Sequence, residues 1–420
     1  MRHLLLSLLV FFIGCEIKAA NTKDDIIARY FEVGKMAEGI KALESALAAD
    51  AKNDSLTSQL GIAQFFTALE KLEQDWHRLG LNDSVFGELI PFLRLPVAPN
   101  AHPERVTNES GRKVIADFIA GLGVASETLA KVGDDAGMNI SLRPGLVRLD
   151  FDGDGKAGED EVLWKVIERL VPGARFSAAD AKGFLVKLDL GDVRWMQGYC
   201  HLLSAVGEAM LAHDTEKLFQ HTAPVFFADA ETPFDFLKRR NPNGAFGGLS
   251  VSGRPATVDD VLDAVAFIHL LNFPVKEPQR MASALRHLEE VTKFSRQSWK
   301  AILAETDDDH EWIPNPKQKG VFRAGEVSEE MVQRWFAFLD EADAILAGKK
   351  LLPFWRDAGG RGVNLRRVFT EPTTFDLILW IQGTGATPYL EKGTITDPDF
   401  WKATNRIFRG EFLGFAIWFN

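Results

Sequence analysis

Apolar side chains return every three or four residues over most of this 420-residue chain, an interval that a helix can bury and a strand cannot. In residues 111–133, Val114, Phe118, Ile119, Leu122 and Leu129 fall on one side of a helix. Residues 278–304 repeat the pattern with Met281, Leu285, Leu288, Val291, Trp299 and Ile302. Asp192 is placed to cap a long helix through Met196, Tyr199, Leu203, Val206 and Met210. Thr257 starts another, with Val261, Val265 and Ile268 facing inward. Ser328, Glu329 and Glu330 open a helix over Trp335, Phe336 and Leu339 that Gly348 stops. Glycine-rich stretches at 241–253 and 359–362 read as loops. The chain is expected to be mainly α, a multi-helix protein with short extended pieces at most.

Residues 150–161 do not follow the helical interval. Asp150, Asp152 and Asp154 occupy positions 1, 3 and 5 of a twelve-residue stretch, Gly155 position 6 and Glu161 position 12. Calcium takes six to eight oxygens at ~2.3–2.6 Å in flexible geometry, and an Asp-rich loop can wrap it. Three aspartates would supply side-chain oxygens, Lys156 its main-chain carbonyl, a water the place of Gly158, and Glu161 both carboxylate oxygens. Gly155 permits the left-handed turn that a Cβ would strain. The stretch resembles the calcium loop of the EF-hand family. Residues 162–170 fit the helix that leaves such a loop, whereas 142–149, with Pro144 and Gly145, read as extended where the family has an entering helix. Ala157 stands at position 8, where the family carries a larger aliphatic side chain that pairs with a second hand, and no second loop occurs in the chain. The resemblance therefore implies one calcium ion held as a structural staple and not a sensor that opens a groove.

Residues 22–80 carry the pattern of a helical hairpin, with Ile26, Ile27, Tyr30, Phe31 and Val33 before Gly34, then Ile40, Leu43, Ala46 and Leu47. Asn53, Asp54 and Ser55 give a turn and a cap. This unit resembles the tetratricopeptide repeat through Tyr30, Gly34, Leu43 and Ala46, the Leu60-Gly61 pair, and the spacing of 34 residues from Ile27 to Gly61. Ala51 and Gln64 depart from the repeat's Pro and Tyr, and about one and a half units are present. A generic helical hairpin accounts for the same residues. Pro96, Pro99 and Pro103 mark a boundary after it. The expected division is a leader at 1–20, the hairpin region at 21–95, a connecting region with the acidic loop at 96–190, and a helical region at 191–420.

Met1-Arg2-His3 followed by the apolar run Leu4 to Ile13 reads as a secretory leader, too short to span a bilayer. Phe12-Ile13-Gly14-Cys15 resembles the lipobox of bacterial lipoproteins, with Phe12 where Leu is usual; cleavage near Ala19 or Ala20 is the alternative. Both imply an exported protein, periplasmic or lipid-anchored to a bacterial membrane through Cys15. Cys15 and Cys200 are the only cysteines, and Cys200, in an apolar helical stretch, is expected in the core. A net charge of −11 disfavours nucleic acid as a partner and suits calcium.

No His-Glu-x-x-His, Gly-x-Ser-x-Gly or phosphate-cradling glycine motif occurs, so no reaction is spelled out. His201 and His213, 12 residues apart in one helix, point about 120° apart, and His269 sits among apolar residues as a core side chain. Residues 305–312, with Glu305, Asp307, Asp308, Asp309, His310 and Glu311, follow the end of a helix whose dipole opposes them. They read as a solvated acidic loop, a cation site, or partners of Arg361, Arg366 and Arg367. Two functions follow. One is an exported scaffold or interaction protein with structural calcium, using the hairpin to meet a protein partner. The other is an exported hydrolase-like enzyme with a site assembled from distant loop acids, for which a deep pocket joining Asp307, Asp309, His310 and the Arg366 region would speak.

Overall fold

The computed structural model describes residues 25–81, 97–170, 177–238, 245–251, 254–321, 327–356, 359–410 and 412–419. The expected leader and Cys15 lie outside them. Described residues are mainly helical, as the apolar interval dictates. Helix α1 (Ile26–Phe31) is followed by a turn at Gly34, whose φ of 73° suits glycine, and by α2 (Met36–Ala49). Asn53 accepts from the Leu56 amide at 3.0 Å and caps α3 (Asp54–Arg78). Thr107 and Ser110 cap α4 (Asn108–Leu129) reciprocally. A Cβ at Gly61 would lie 2.4 Å from Leu129 Cδ2, so this glycine lets α3 and α4 approach.

Strands β1 (Ile140–Leu142) and β2 (Val186–Leu188) form an antiparallel ribbon, and the acidic loop, α5 (Leu163–Leu170) and α6 (Ala178–Gly183) lie between them in sequence. Helix α7 (Leu190–Leu211) corrects one expectation: its cap is Asp189, and Asp192 is the third helical residue. Asp189 accepts from the amides of Gly191 (2.7 Å) and Asp192, and Asp192 accepts from the Asp189 amide (3.1 Å). Met196 and Tyr199 are buried, but Val206 and Met210 are exposed.

After α8 (Glu216–Phe226), part of the glycine-rich stretch expected as a loop is strand: β3 (Ala245–Val251) pairs antiparallel with β4 (Arg254–Thr257). Thr257 caps α9 (Val258–His269) as expected, but of the residues expected to face inward only Val261 is half-buried. Leu262, Val265 and Ile268 are exposed, as is His269, while the buried residue of this helix is Asp260, held by its capping bonds to Thr257. Beyond β5 (Asn272–Phe273), α10 (Pro278–Ile302) packs along α7, and α11 (Glu329–Leu346) is capped by Ser328 and followed by Gly348 at φ 72°. The C-terminal part alternates short pieces: β6 (Leu352–Pro353), β7 (Arg361–Val363), α12 (Leu365–Thr370), β8 (Phe375–Asp376), α13 (Leu377–Gln382), β9 (Leu390–Lys392), α14 (Pro398–Ile407) and α15 (Phe412–Phe419). Strands β6, β7 and β9 form one sheet, so part of the 359–362 stretch is strand, and β5 pairs with β8.

One hydrophobic cluster draws on all the expected regions after the leader, from Ile27 and Phe31 through Leu129, Phe151, Tyr199 and Trp299 to Trp335. Trp299 and Trp335 are shut from solvent, each worth roughly 2–3 kcal/mol, and Trp335 Nε1 donates to Ser295 Oγ at 3.0 Å. Phe412 and Phe415 of α15 pack on Trp335. Cys200 is buried, and burial pushes its thiol up to about 12, which makes it inert. Among the described residues no helix is long and apolar enough to cross a membrane.

Candidate metal centre

The carboxylates of Asp150, Asp152 and Asp154 turn back on the loop's own amides. Asp150 Oδ1 accepts from Gly153 N (2.8 Å) and Asp154 N (3.1 Å), and its Oδ2 from Gly155 N (2.9 Å). Asp152 accepts from Asp154 N (3.0 Å), and Asp154 from Lys156 N (2.7 Å). Gly153 and Gly155 hold φ of 73° and 86°, the left-handed turn expected at position 6. Oxygens of Asp150, Asp152 and Asp154 lie within 4.8 Å of one another. Oxygens bound ~2.4 Å from a central cation span at most twice that distance, so the three carboxylates are spaced for one ion.

Glu161 is not part of that trio. Buried at 5% exposure, it spreads both oxygens over main-chain donors: Oε1 over Phe151 N (2.7 Å) and Oε2 over Gly158 N (2.5 Å). Burial raises its carboxyl above the usual range, against the lowering effect of these amides. Lys156 is exposed, leaving only its main chain to serve an ion. No helix enters the loop. The chain arrives through β1, a 3₁₀ turn (Pro144–Leu146) and an extended segment, and Arg148 bridges Val162 across the loop's base. Leu163 N donates to Val147 O (2.9 Å) there, and α5 leaves.

Position 8 of the loop meets the N-terminal helices: a Cβ at Gly34 would lie 2.8 Å from Ala157 Cβ, so Ala157 packs closely against the turn between α1 and α2. Arg148 N donates to Phe31 O at 3.1 Å beside it. From α3, Glu70 Oε2 accepts from Asp150 N (2.8 Å) and Gln74 Nε2 donates to Asp150 O (2.7 Å). Burial, with the charges of Asp150 and Glu161 adding to it, pushes Glu70 up to about 7. Nothing local in the sequence marked Glu70 or Gln74.

A second acidic group is assembled from distant segments. Asp189, Glu305 and Glu311 bring oxygens within 4.8 Å of one another, beside a cavity of about 520 Å³ that Asp134, Lys187, Arg194, Asp307 and Asp309 also line. Burial and the Asp189 charge push Glu305 up to about 9, and burial takes Glu311 up to about 7. Asp189 and Asp192 are raised by burial as well. Burial and the Asp189 charge therefore favour the protonated form of Glu305, since two such close carboxyls do not readily both ionise. A Cβ at Gly191 would lie 2.7 Å from Ile302 Cγ1 and 3.3 Å from Glu305 Oε1, which is how the start of α7 meets the end of α10. Basic groups stay at the edge: Lys187 Nζ is 3.9 Å from Asp309, and buried Arg194 serves the Val132 carbonyl and Asp134 at 2.8 Å each. Of the arginines considered as partners, Arg366 pairs with Glu289, and Arg367 with Glu371 and Glu391. Such a group can give and take a proton, or lose it to water when a cation binds in its place.

His201 meets not His213 but His287 of α10, Nδ1 to Nδ1 at 2.8 Å. Comparison of the chain with protein-family models, curated protein sequences and solved structures returns no match.

Proposed function

We propose that this is an exported calcium-binding helical protein with a scaffold or interaction role, in which the 150–161 loop holds one structural calcium ion. The observation that carries the reading is the trio Asp150, Asp152 and Asp154, spaced for one cation around a glycine turn. Glu161 completes the ion's shell by leaving its amides, and the Lys156 carbonyl joins it. Export rests on residues 1–20, with the mature chain periplasmic or lipid-anchored at Cys15. The hairpin region meets a protein partner; in support, a mainly apolar groove of about 220 Å³ runs between α2, α3 and α4, with Ile40, Leu72, Val114 and Phe118 in its walls. Calorimetric titration of calcium into chelator-treated protein tests the reading. One site per chain and a rise in melting temperature are expected, and a melting curve indifferent to calcium and chelator would overturn it.

A second reading, an exported hydrolase-like enzyme, is favoured by the cavity beside Asp189 and Glu305. A carboxyl and a carboxylate with separated proton affinities are the usual acid and base of hydrolysis. Turnover of chromogenic esters, phosphates or glycosides that Glu305→Gln abolishes would establish it. Turnover unchanged by the substitution would reject it.

A further inference from the structure

We propose that α3 forms the second half of the calcium site, with Glu70 and Gln74 as positioning residues that couple calcium occupancy to docking of the N-terminal helices. This rests on the calcium reading of the loop. Glu70 and Gln74, one helical turn apart, hold both main-chain groups of the first ligand residue: the Asp150 amide at 2.8 Å and the Asp150 carbonyl at 2.7 Å. Gln74 also lies along the loop's first turn, where a Cβ at Gly153 would be 3.7 Å from its Cγ. The same N-terminal unit also packs on position 8, through Ala157 against Gly34, and on the segment just before the loop, through the Arg148 amide on the Phe31 carbonyl.

A loop held by the N-terminal helices at its first residue and at position 8 transmits a change of shape around an ion to those helices. Coupling of this kind is reciprocal: if calcium steadies the docked helices, the docked helices tighten calcium by the same factor. Losing an outer contact that orients a metal ligand costs ~10–100-fold in affinity. Gln74→Leu removes a neutral donor and leaves the site's charge untouched, which separates positioning from electrostatics. Glu70→Gln removes a charge and keeps an acceptor for the Asp150 amide.

The test uses the full chain and calcium itself. Each variant is expected to weaken calcium binding about tenfold by calorimetry. In the wild type, α3 amides are expected to exchange about tenfold more slowly with calcium than with chelator, and the Gln74→Leu variant to lose that protection. Unchanged affinity in both variants, or α3 exchange indifferent to calcium in a wild type that does bind it, overturns the coupling and leaves the calcium reading intact. A wild type that takes up no calcium overturns both. Should Gln74→Leu melt before measurement, wild-type exchange with and without calcium still decides.

Discussion

The two acidic regions solve the same electrostatic problem in opposite ways. In the 150–161 loop Asp150, Asp152 and Asp154 lie near the surface, and each finds amides two to five residues along the chain. Their charge is met by backbone dipoles, an arrangement a cation can join. The Asp189 group is assembled from the start of α7 and the segment after α10, where burial outweighs the few donors within reach. Its charge is met by holding protons. An acid-rich stretch in a sequence does not reveal which solution applies. The supply of main-chain donors does.

The largest test of this contrast is Glu161→Gln. Glutamate places two acceptors over the Phe151 and Gly158 amides, whereas glutamine has one acceptor and would set an NH₂ against the other amide. The variant is expected to lose ~1–3 kcal/mol of stability without any metal, for a buried donor left without its acceptor. On the calcium reading it also loses more than the ~10–100-fold in affinity that outer-contact losses cost. Saturation at a hundred times Kd adds ~2.7 kcal/mol to the wild type, and that increment should vanish. Thermal melts with calcium and with chelator measure both parts. A chelator-treated melt identical to wild type would mean that Glu161 does not hold the loop by its amides.

Alkaline titration probes the other solution. Glu305 at about 9 and Glu311 at about 7 lie above their unfolded values, so the folded chain binds more protons between about pH 5 and 9. Their contribution is full below the unfolded value and is lost as pH rises through the folded one. A tenfold change in proton affinity is ~1.4 kcal/mol, and with the cavity open to solvent a loss of ~2 kcal/mol from pH 6 to 9 is expected. Glu305→Gln should flatten that slope, since the amide keeps a donor for Asp189 and has no proton to lose. An unflattened slope would place the alkaline loss elsewhere.

These regions also differ in how far the sequence disclosed them. The loop was legible because its oxygens and its turn glycine lie within twelve consecutive residues, where spacing alone fixes geometry. The caps Asn53, Thr257 and Ser328 were legible for the same reason. Asp189 and Glu305 are more than a hundred residues apart, and only the packing of α7 on α10 brings them together. The one local clue was the Asp189-Leu190-Gly191-Asp192 box, which carries a helix signal and no hint of its neighbour. Helix α9 was misread for a different reason: periodicity tells which side of a helix is apolar, not whether anything covers it. Ala157 departs from the EF-hand pattern, and what it packs against, Gly34, lies in the turn between α1 and α2.

On the acid side, a third buried group separates the two regions further. His201 and His287 share one proton-bearing contact at 2.8 Å between α7 and α10, with His201 stacked on Phe294. Burial lowers His201 to about 4, helped by His287 and Lys293 against Glu290, and lowers His287, with Arg286 adding to this and Glu208 and Glu290 opposing it. Ser126 Oγ of α4 lies 3.4 Å from His201 Nε2. With folded values depressed, the stability is present above about pH 6.5 and is lost as pH falls toward 4. A loss of ~1 kcal/mol by pH 5 is expected, and His287→Gln should shrink it. If instead loop substitutions reshape this limb, the loop aspartates and not the histidines govern acid stability.

The smallest effect is the sharpest control. Asp160 neighbours Glu161 in sequence and carries the same charge, so an unspecific acidic turn would respond alike to losing either. Its side chain, however, is 77% exposed and pairs with Lys165 Nζ at 2.8 Å, an ion pair worth ~0–1 kcal/mol in water. It occupies position 11, which supplies no oxygen to the ion, and its loss takes one charge from the loop's surroundings. Asp160→Asn is therefore expected to shift the metal-free melt by less than ~0.5 kcal/mol and calcium affinity by no more than a few-fold, in step with ionic strength. If Asp160→Asn and Glu161→Gln weaken calcium equally, the loop attracts cations by net charge alone, and the coordination drawn from Asp150, Asp152 and Asp154 fails with it.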